Sequence, residues 1–367
     1  MTTVNLAVDG SGLARPLAGV GTYTREMLRA MTVERPVNPI VLFVPPGVEA
    51  GPQPEPVRVR EIPPGRFAGR HVLWPRRLRG LGAACYWGAA GQLPLGRLRC
   101  PSVITVHDLA IYVEPAWFPR GQPLSTRLVV PRSVRRADRI IAVSANTARD
   151  LRSMFGVEGS KIDVVHHGVS PAFRPLEPDR LEAARARFRL PPGFVLFVGT
   201  IEPRKNLDTL LEAWAMMRDR PPLVIAGAWG WRFEATRERI RRLGSGVHVL
   251  GAVDAAELPL LYNLAACLAH PAWYEGFGLT PLEAMACGVP VVASDASSLP
   301  EVVGDAGLLV PPDQPDLWRE ALERVLREPD LASELRRRGV LRAAEFSWTR
   351  AAEHLWRAVD EVSAEAS

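Results

Sequence analysis

Glu275 and Glu283 bracket a glycine-rich turn in the stretch Pro271-Ala-Trp-Tyr-Glu275-Gly-Phe277-Gly278-Leu279-Thr280-Pro281-Leu-Glu283-Ala-Met-Ala-Cys-Gly288-Val-Pro290. Carboxylates accept strongly from O–H donors, so such a pair suits sugar hydroxyls. Between them the residue types spell a helix start. Thr280 fits the N-cap, Pro281 the first helical position where no N–H is needed, and Gly288 the stop. The first N–H groups of a helix have no partner within it, so a ligand admitted by a Gly-rich turn can use them, and a diphosphate fits best. Thr280-x-x-Glu283 also matches a capping box, in which Glu283 would bond back to the N-cap backbone. Both readings of Glu283 stand at this level, although capping accounts for neither Glu275 nor the Gly-Phe-Gly turn.

Elements must hold these residues in place. In the N-terminal half, Val4–Val8, Ile40–Val44, Val103–Val106, Ile140–Val143 and Ile162–Val165 read as buried strands. Helical patterns cover Gly21–Met31, Leu124–Ala137 and Asn146–Phe155. The proline-rich segment Ser170–Leu190 breaks the rhythm and reads as a linker. A second alternation follows, with strands at Val195–Val198, Leu223–Ala226, Val247–Leu250, Ala266–Leu268 and Val291–Ala293. Its helices fall near Leu207–Arg218, Glu234–Leu243 and Ala255–Ala265, and the tail from Leu317 is mostly helical. Strands alternating with helices predict parallel sheets, here an α/β protein of two doubly wound domains. Ligands of such folds bind at the carboxyl ends of the strands, where Gly19-Val-Gly21-Thr-Tyr23, His107, Lys205 and the Glu275 segment should gather.

Composition narrows the class. A chain of 367 residues exceeds one ordinary core, and 47% apolar with 23% charged residues is typical of a globular protein. No apolar run is long enough to span a bilayer, and the N-terminus enters a strand pattern with no signal-peptide pattern, which predicts a cytoplasmic protein. Cys85, Cys100, Cys267 and Cys287 are scattered, as expected of reduced thiols. No Asp-x-Asp pair ends a strand, so no metal is expected. The net charge of +5 is only mildly basic and no nucleic-acid module is present. Lys161 and Lys205 are the lysines of the chain; every other one of its 45 basic residues is arginine. A lysine at 205 is where a compact, flexible point charge would suit phosphate.

The motifs resemble those of the retaining, GT-B-fold glycosyltransferases of family 4. Glu275-Gly-Phe-Gly-Leu-Thr-Pro-Leu-Glu283-Ala-Met-Ala-Cys-Gly-Val-Pro-Val-Val-Ala-Ser looks like that family's Glu-x7-Glu signature. Gly199-Thr-Ile-Glu-Pro-Arg204-Lys205-Asn206-Leu, Ser298-Leu-Pro-Glu301-Val and Gly304-Asp-Ala match further. The resemblance covers nearly the whole chain. It implies an acceptor-binding Rossmann-like domain at 1–175, a nucleotide-sugar domain at 190–345, and a helix at 346–367 packing back on the first. It implies that Arg204 and Lys205 meet the donor diphosphate, and that Glu275 holds hydroxyls of the transferred sugar. The N–H groups around Phe277, Gly278, Leu279 and Thr280 would receive the diphosphate, and Glu283 the ribose. Gly19 and Gly21 would allow close backbone approach by phosphate or sugar. An isolated histidine is more often structural, but resemblance places His107 beside the donor sugar. In many members the arginine precedes the lysine by several residues; here Thr200 and Ile201 occupy that region and Arg204 adjoins Lys205. The Glu-Pro-Arg-Lys-Asn form is similar to a mannosyl- and deoxysugar-transferase subgroup.

The resemblance thus implies hexosyl transfer from a nucleotide sugar, GDP-mannose first, to a sugar, glycolipid or lipid-linked acceptor with no further cofactor, and the missing Asp-x-Asp pair predicts that the transfer is metal-independent. Two alternatives stay open: a sugar phosphorylase or synthase of the same fold, and a non-catalytic nucleotide-sugar-binding protein. The basic and aromatic mixture of Arg66-Phe-Ala-Gly-Arg-His-Val-Leu-Trp74-Pro-Arg76-Arg77-Leu-Arg79 suggests peripheral docking on the inner membrane face. A solvated arginine-rich surface is the competing reading.

Overall fold

The computed structural model describes residues 5–14, 19–63, 69–121 and 125–366. By packing, the chain divides into two compact units: Met1–Leu109 with Gly121–Gly168 and Ser347–Ser367, and Ala110–Arg120 with Val169–Phe346.

The first unit holds β1 (Leu6–Asp9), β2 (Ile40–Val44), β3 (Val57–Glu61), β4 (Cys85–Gly88), β5 (Ser102–Val106), β6 (Arg139–Ala142) and β7 (Ile162–Val164). Their order is β3-β2-β1-β4-β5-β6-β7, and every pairing is parallel. The order reverses direction between β1 and β4, which is a topological switch point. The helix Trp348–Glu365 completes this unit against the helix Gly19–Glu34. There Trp356 Nε1 donates to Met31 O at 3.1 Å, and Arg35 makes a two-pronged pair with Asp360 at 2.8 and 2.6 Å. Gly168 is required here, because a Cβ on it would lie 2.1 Å from Trp348 N.

The second unit holds β8 (Val195–Val198), β9 (Leu223–Ala226), β10 (Val247–Gly251), β11 (Cys267–His270), β12 (Val291–Ser294) and β13 (Leu308–Val310). Their order, β10-β9-β8-β11-β12-β13, is again parallel throughout, with its switch point between β8 and β11. Phe197, Leu210, Trp214, Ile225 and Trp318 anchor one core cluster of this sheet. Ala110–Arg120 belongs to this unit: Trp231 Nε1 donates to Trp117 O at 2.8 Å, and Phe118 stacks on Trp231 with centroids 5.8 Å apart.

The α/β class and the two doubly wound parallel sheets are those expected from the alternation. Some elements differ. The presumed linker contains a helix, Pro178–Phe188, because a proline at the first helical position starts a helix rather than breaking it. β3 was unread because it is an edge strand whose Val-Arg-Val-Arg-Glu face is largely exposed. β4 is four fully buried residues, too short to show a period. The expected helix over Leu124–Ala137 is a π-turn at Ser125–Val129 followed by helix Val130–Arg136. In the basic segment, residues 66–68 lie outside the described residues. Trp74, a presumed membrane anchor, is fully buried against Phe43 and Tyr86 instead, with centroids 5.4 and 5.5 Å away. Among the described residues of this segment, Val72 and Leu73 are the exposed large apolar ones. Among the described residues no helix is long and apolar enough to cross a membrane.

Candidate active site

The switch point of the second sheet assembles the chemistry. The chain leaving β8 forms the loop Gly199–Glu202 and the short turn Pro203–Lys205, and the chain leaving β11 forms Pro271–Gly278. Because β8 and β11 are neighbours, the two loops meet. Glu275 is buried, and its Oε1 is held by Lys205 Nζ and by His270 Nε2 at 2.9 Å. Its Oε2 accepts from Arg204 Nη1 at 3.2 Å. Arg204 Nη1 also donates to Tyr274 O at 2.8 Å, and its Nη2 donates to Glu202 Oε1 at 2.7 Å. Asn206 fixes the turn by donating to Pro271 O at 2.9 Å and Pro312 O at 2.7 Å. On the other side, Glu275 N donates to Ser297 Oγ at 2.8 Å. The Ser298 hydroxyl is shared between Glu275 O at 2.9 Å and Phe277 O at 2.6 Å.

The cluster is electrostatically balanced. Burial alone would raise the Glu275 carboxyl, but Lys205, Arg204 and the His270 hydrogen bond outweigh it and hold it well below the usual carboxylate range. Glu275 is therefore ionised, and His270 Nε2 carries the proton between them. Burial lowers His270 itself, with Glu275 pulling the other way. Glu202 is raised by burial, partly offset by Arg204 and Lys205. Two cations thus face two carboxylates, and the cationic pair expected for a diphosphate is paired with acid groups of the protein itself.

The helix after the turn runs Leu279–Ala286, with Gly278 as its cap at φ 116°. That left-handed conformation suits glycine, and a Cβ there would approach Leu299 Cδ2 to 3.1 Å. Thr280 is therefore the second helical residue and not the cap, and no side chain caps this helix. The capping box does not form. The half-buried Glu283 instead accepts from Tyr262 Oη at 3.0 Å. Burial pushes its carboxyl up to about 8, against the Tyr262 hydrogen bond that favours ionisation. The first N–H groups of a helix have no partner within it, and they carry the positive end of its dipole.

Gly19, Gly21 and His107 lie in the first unit, again around its switch point. Gly19 is the exposed first residue of its helix and Gly21 is buried in the first turn. His107 follows β5, and its Nε2–H donates to Ala89 O at 2.8 Å, just past β4. Tyr23 packs edge-on against its ring at 4.7 Å. Burial lowers His107, so it stays neutral around pH 7.

The structure brings Arg204, Lys205 and Glu275 into direct contact and sets Glu283 on the helix that follows. Sequence reasoning missed Glu202, His270, Tyr262, Ser297 and Ser298. Glu202 and Ser298 stood inside quoted motifs without a role. His270 was lost because the strand was ended at Leu268, two residues before its end at His270. Nothing local marks Tyr262, which reaches Glu283 only through the packing of helix Leu258–Leu264.

Comparison with known proteins identifies the family. Residues 180–342 match the family model for glycosyl transferases group 1, and residues 17–173 match that for Glycosyltransferase Family 4. O-antigen chain mannosyltransferase B of Escherichia coli is 30% identical over 91% of this chain and 93% of its own. D-inositol 3-phosphate glycosyltransferase of Nocardia farcinica is 33% identical over 95% of this chain and 87% of its own. Among solved structures, sucrose-phosphate synthase from Thermosynechococcus elongatus superposes with a TM-score of 0.83 at 23% identity, over 99% of this chain and 100% of that one. This likeness shows the shared GT-B fold. The chain belongs to the family 4, group 1 glycosyltransferases.

Proposed function

We propose that this glycosyltransferase moves a mannosyl group from GDP-mannose to a hydroxyl of a saccharide or lipid-linked acceptor, retaining the anomeric configuration and using no metal ion. The observation that carries the donor assignment is the 30% identity along nearly the full length of an O-antigen mannosyltransferase. In this reading Glu275 receives hydroxyls of the transferred sugar. Arg204, Lys205 and the amides of Phe277, Gly278, Leu279 and Thr280 receive the diphosphate, and Glu283 receives the ribose hydroxyls. Gly19 and Gly21 offer backbone to donor or acceptor, and neutral His107 faces the transferred sugar.

Glu275 is a poor covalent nucleophile, because Lys205, Arg204 and His270 occupy its oxygens and hold it deeply ionised. This supports front-face substitution. The bond from the anomeric carbon to the leaving phosphate oxygen breaks as the acceptor oxygen bonds on the same face, and that phosphate takes the acceptor proton. Arginine, lysine and the helix front supply the positive potential that a metal would otherwise give. The test is turnover of purified enzyme with GDP-, UDP-, dTDP- and ADP-sugars in excess EDTA, with product configuration read by NMR. GDP-mannose turned over to an α-linked product is the expected result. Inactivity restored by Mn²⁺, an inverted product, or a trapped glycosyl-enzyme would each overturn a part.

The likeness to an inositol 3-phosphate glycosyltransferase favours a second acceptor class, a cyclitol phosphate. Including inositol phosphate among the acceptors separates the two. For the cytoplasmic membrane face, co-sedimentation with anionic against neutral vesicles is decisive; binding equal on both ends the proposal.

A further inference from the structure

The turn that carries Arg204 and Lys205 also carries a carboxylate that no part of the donor reading uses. Glu202 is buried at 6% exposure and stands at the N-cap of the Pro203–Lys205 turn, yet its side chain makes no capping bond. It spends its carboxylate on Arg204 Nη2 at 2.7 Å, while the same guanidinium reaches Glu275 and Tyr274 O through Nη1. Desolvating an acid costs free energy, and one that merely anchored an arginine could be replaced by the carbonyl groups nearby. Its distinctive property here is charge. Arg204 and Lys205 contribute two positive charges, and Glu275 and Glu202 two negative ones, so the site is neutral with Glu202 and would be cationic without it.

We propose that Glu202 is a positioning counter-ion: it aims Arg204 toward Glu275 and the phosphate end of the site, and its charge weakens the hold on the nucleoside diphosphate so that the product leaves after transfer. The proposal rests on the reading of Arg204 and Lys205 as diphosphate ligands. In the resting site Glu202 pairs Arg204 from one side; a bound diphosphate takes the same cation from the other. The two anions then lie across one guanidinium and repel, and the repulsion falls on a departing diphosphate as fully as on an arriving donor. Burial already biases Glu202 toward its neutral form, consistent with a charge held at a cost.

The experiment measures affinity for GDP and for UDP by calorimetry in the wild type, Glu202→Gln, Arg204→Gln and the double variant. Glutamine keeps an oxygen for Arg204 Nη2 and removes only the charge. Glu202→Gln is expected to bind the preferred nucleotide about tenfold more tightly, the size of one unit charge removed at this range in a medium between protein and water. Donor KM and kcat should fall together, with product inhibition deepened. Arg204→Gln should bind more weakly, and adding Glu202→Gln to it should recover part of the loss. A gain in affinity cannot arise from misfolding. Unchanged or weaker binding by Glu202→Gln, with Arg204→Gln still impaired, overturns the counter-ion role alone. If Arg204→Gln and Lys205→Ala bind both nucleotides as the wild type does, or if the wild type binds neither, the diphosphate reading itself falls.

Discussion

If Glu283 receives the ribose hydroxyls as proposed, donor affinity depends on pH. The Glu283 carboxyl sits at about 8 because burial disfavours the charge, so at pH 7 roughly nine in ten molecules carry a proton there. Vicinal ribose hydroxyls are donors and are best received by the ionised form, so binding must release that proton. Affinity then rises with pH until Glu283 is ionised and levels off above. Between pH 7 and pH 9, binding of GDP-mannose, whose doubly esterified diphosphate keeps the same charge throughout, should tighten about tenfold, or ~1.4 kcal/mol. Calorimetry in buffers of differing ionisation enthalpy should count about 0.9 proton released at pH 7 and about half at pH 8. Tyr262→Phe removes the hydrogen bond to Oε2, which favours the ionised form. That variant should shift the midpoint upward and weaken binding further at pH 7. Glu283→Gln should abolish the pH dependence. Flat affinity from pH 7 to 9 with no proton exchanged would refute the assignment of Glu283 to the ribose.

Other outcomes follow from the same contacts. Lys205→Ala should lower kcat/KM at least a hundredfold, and Lys205→Arg should recover little of it, because a planar fork cannot replace a point charge against Glu275 Oε1. Ser298→Ala removes the hydroxyl shared by Glu275 O and Phe277 O, which should cost about 1–2 kcal/mol in chemical denaturation and raise donor KM. Trp74→Ala should destabilise the protein by about 3–5 kcal/mol, whereas Val72→Ser with Leu73→Ser should leave the melting temperature nearly unchanged. If the Trp74 variant melts like the wild type, the buried placement of that ring is wrong.

Much of the architecture was legible because parallel strands buried on both faces read as short apolar runs, and most of these fell at β-strands. β3 and β4 escaped for opposite reasons, one too polar at an edge and the other too short in the centre. At the site, Arg204, Lys205 and Glu275 were visible as charged residues beside glycines and strand ends. Their mutual neutralisation was not, since it depends on β8 and β11 being neighbours although the whole β9–β10 segment separates them in sequence. The expected helix start lies two residues past the observed one because Thr280 and Pro281 satisfy the cap pattern locally, while the packing of Leu299 against Gly278 puts the cap at the glycine. Tyr262 had no signal, being an aromatic residue on an apolar helix face until Glu283 meets its hydroxyl.

The helix Trp348–Glu365 has a consequence for how the polypeptide is made. It is the partner of Gly19–Glu34, so segments from opposite extremes of the sequence complete one body, with Val169–Phe346 spliced in between. On the ribosome, the strands β8 to β13 emerge contiguously and can close their core early. The earlier-made body must wait, its Met31 and Arg35 surface uncovered, until Trp356 and Asp360 arrive. Released chains truncated after residue 347 should therefore resist protease in the inserted portion and be cut in the portion synthesised first.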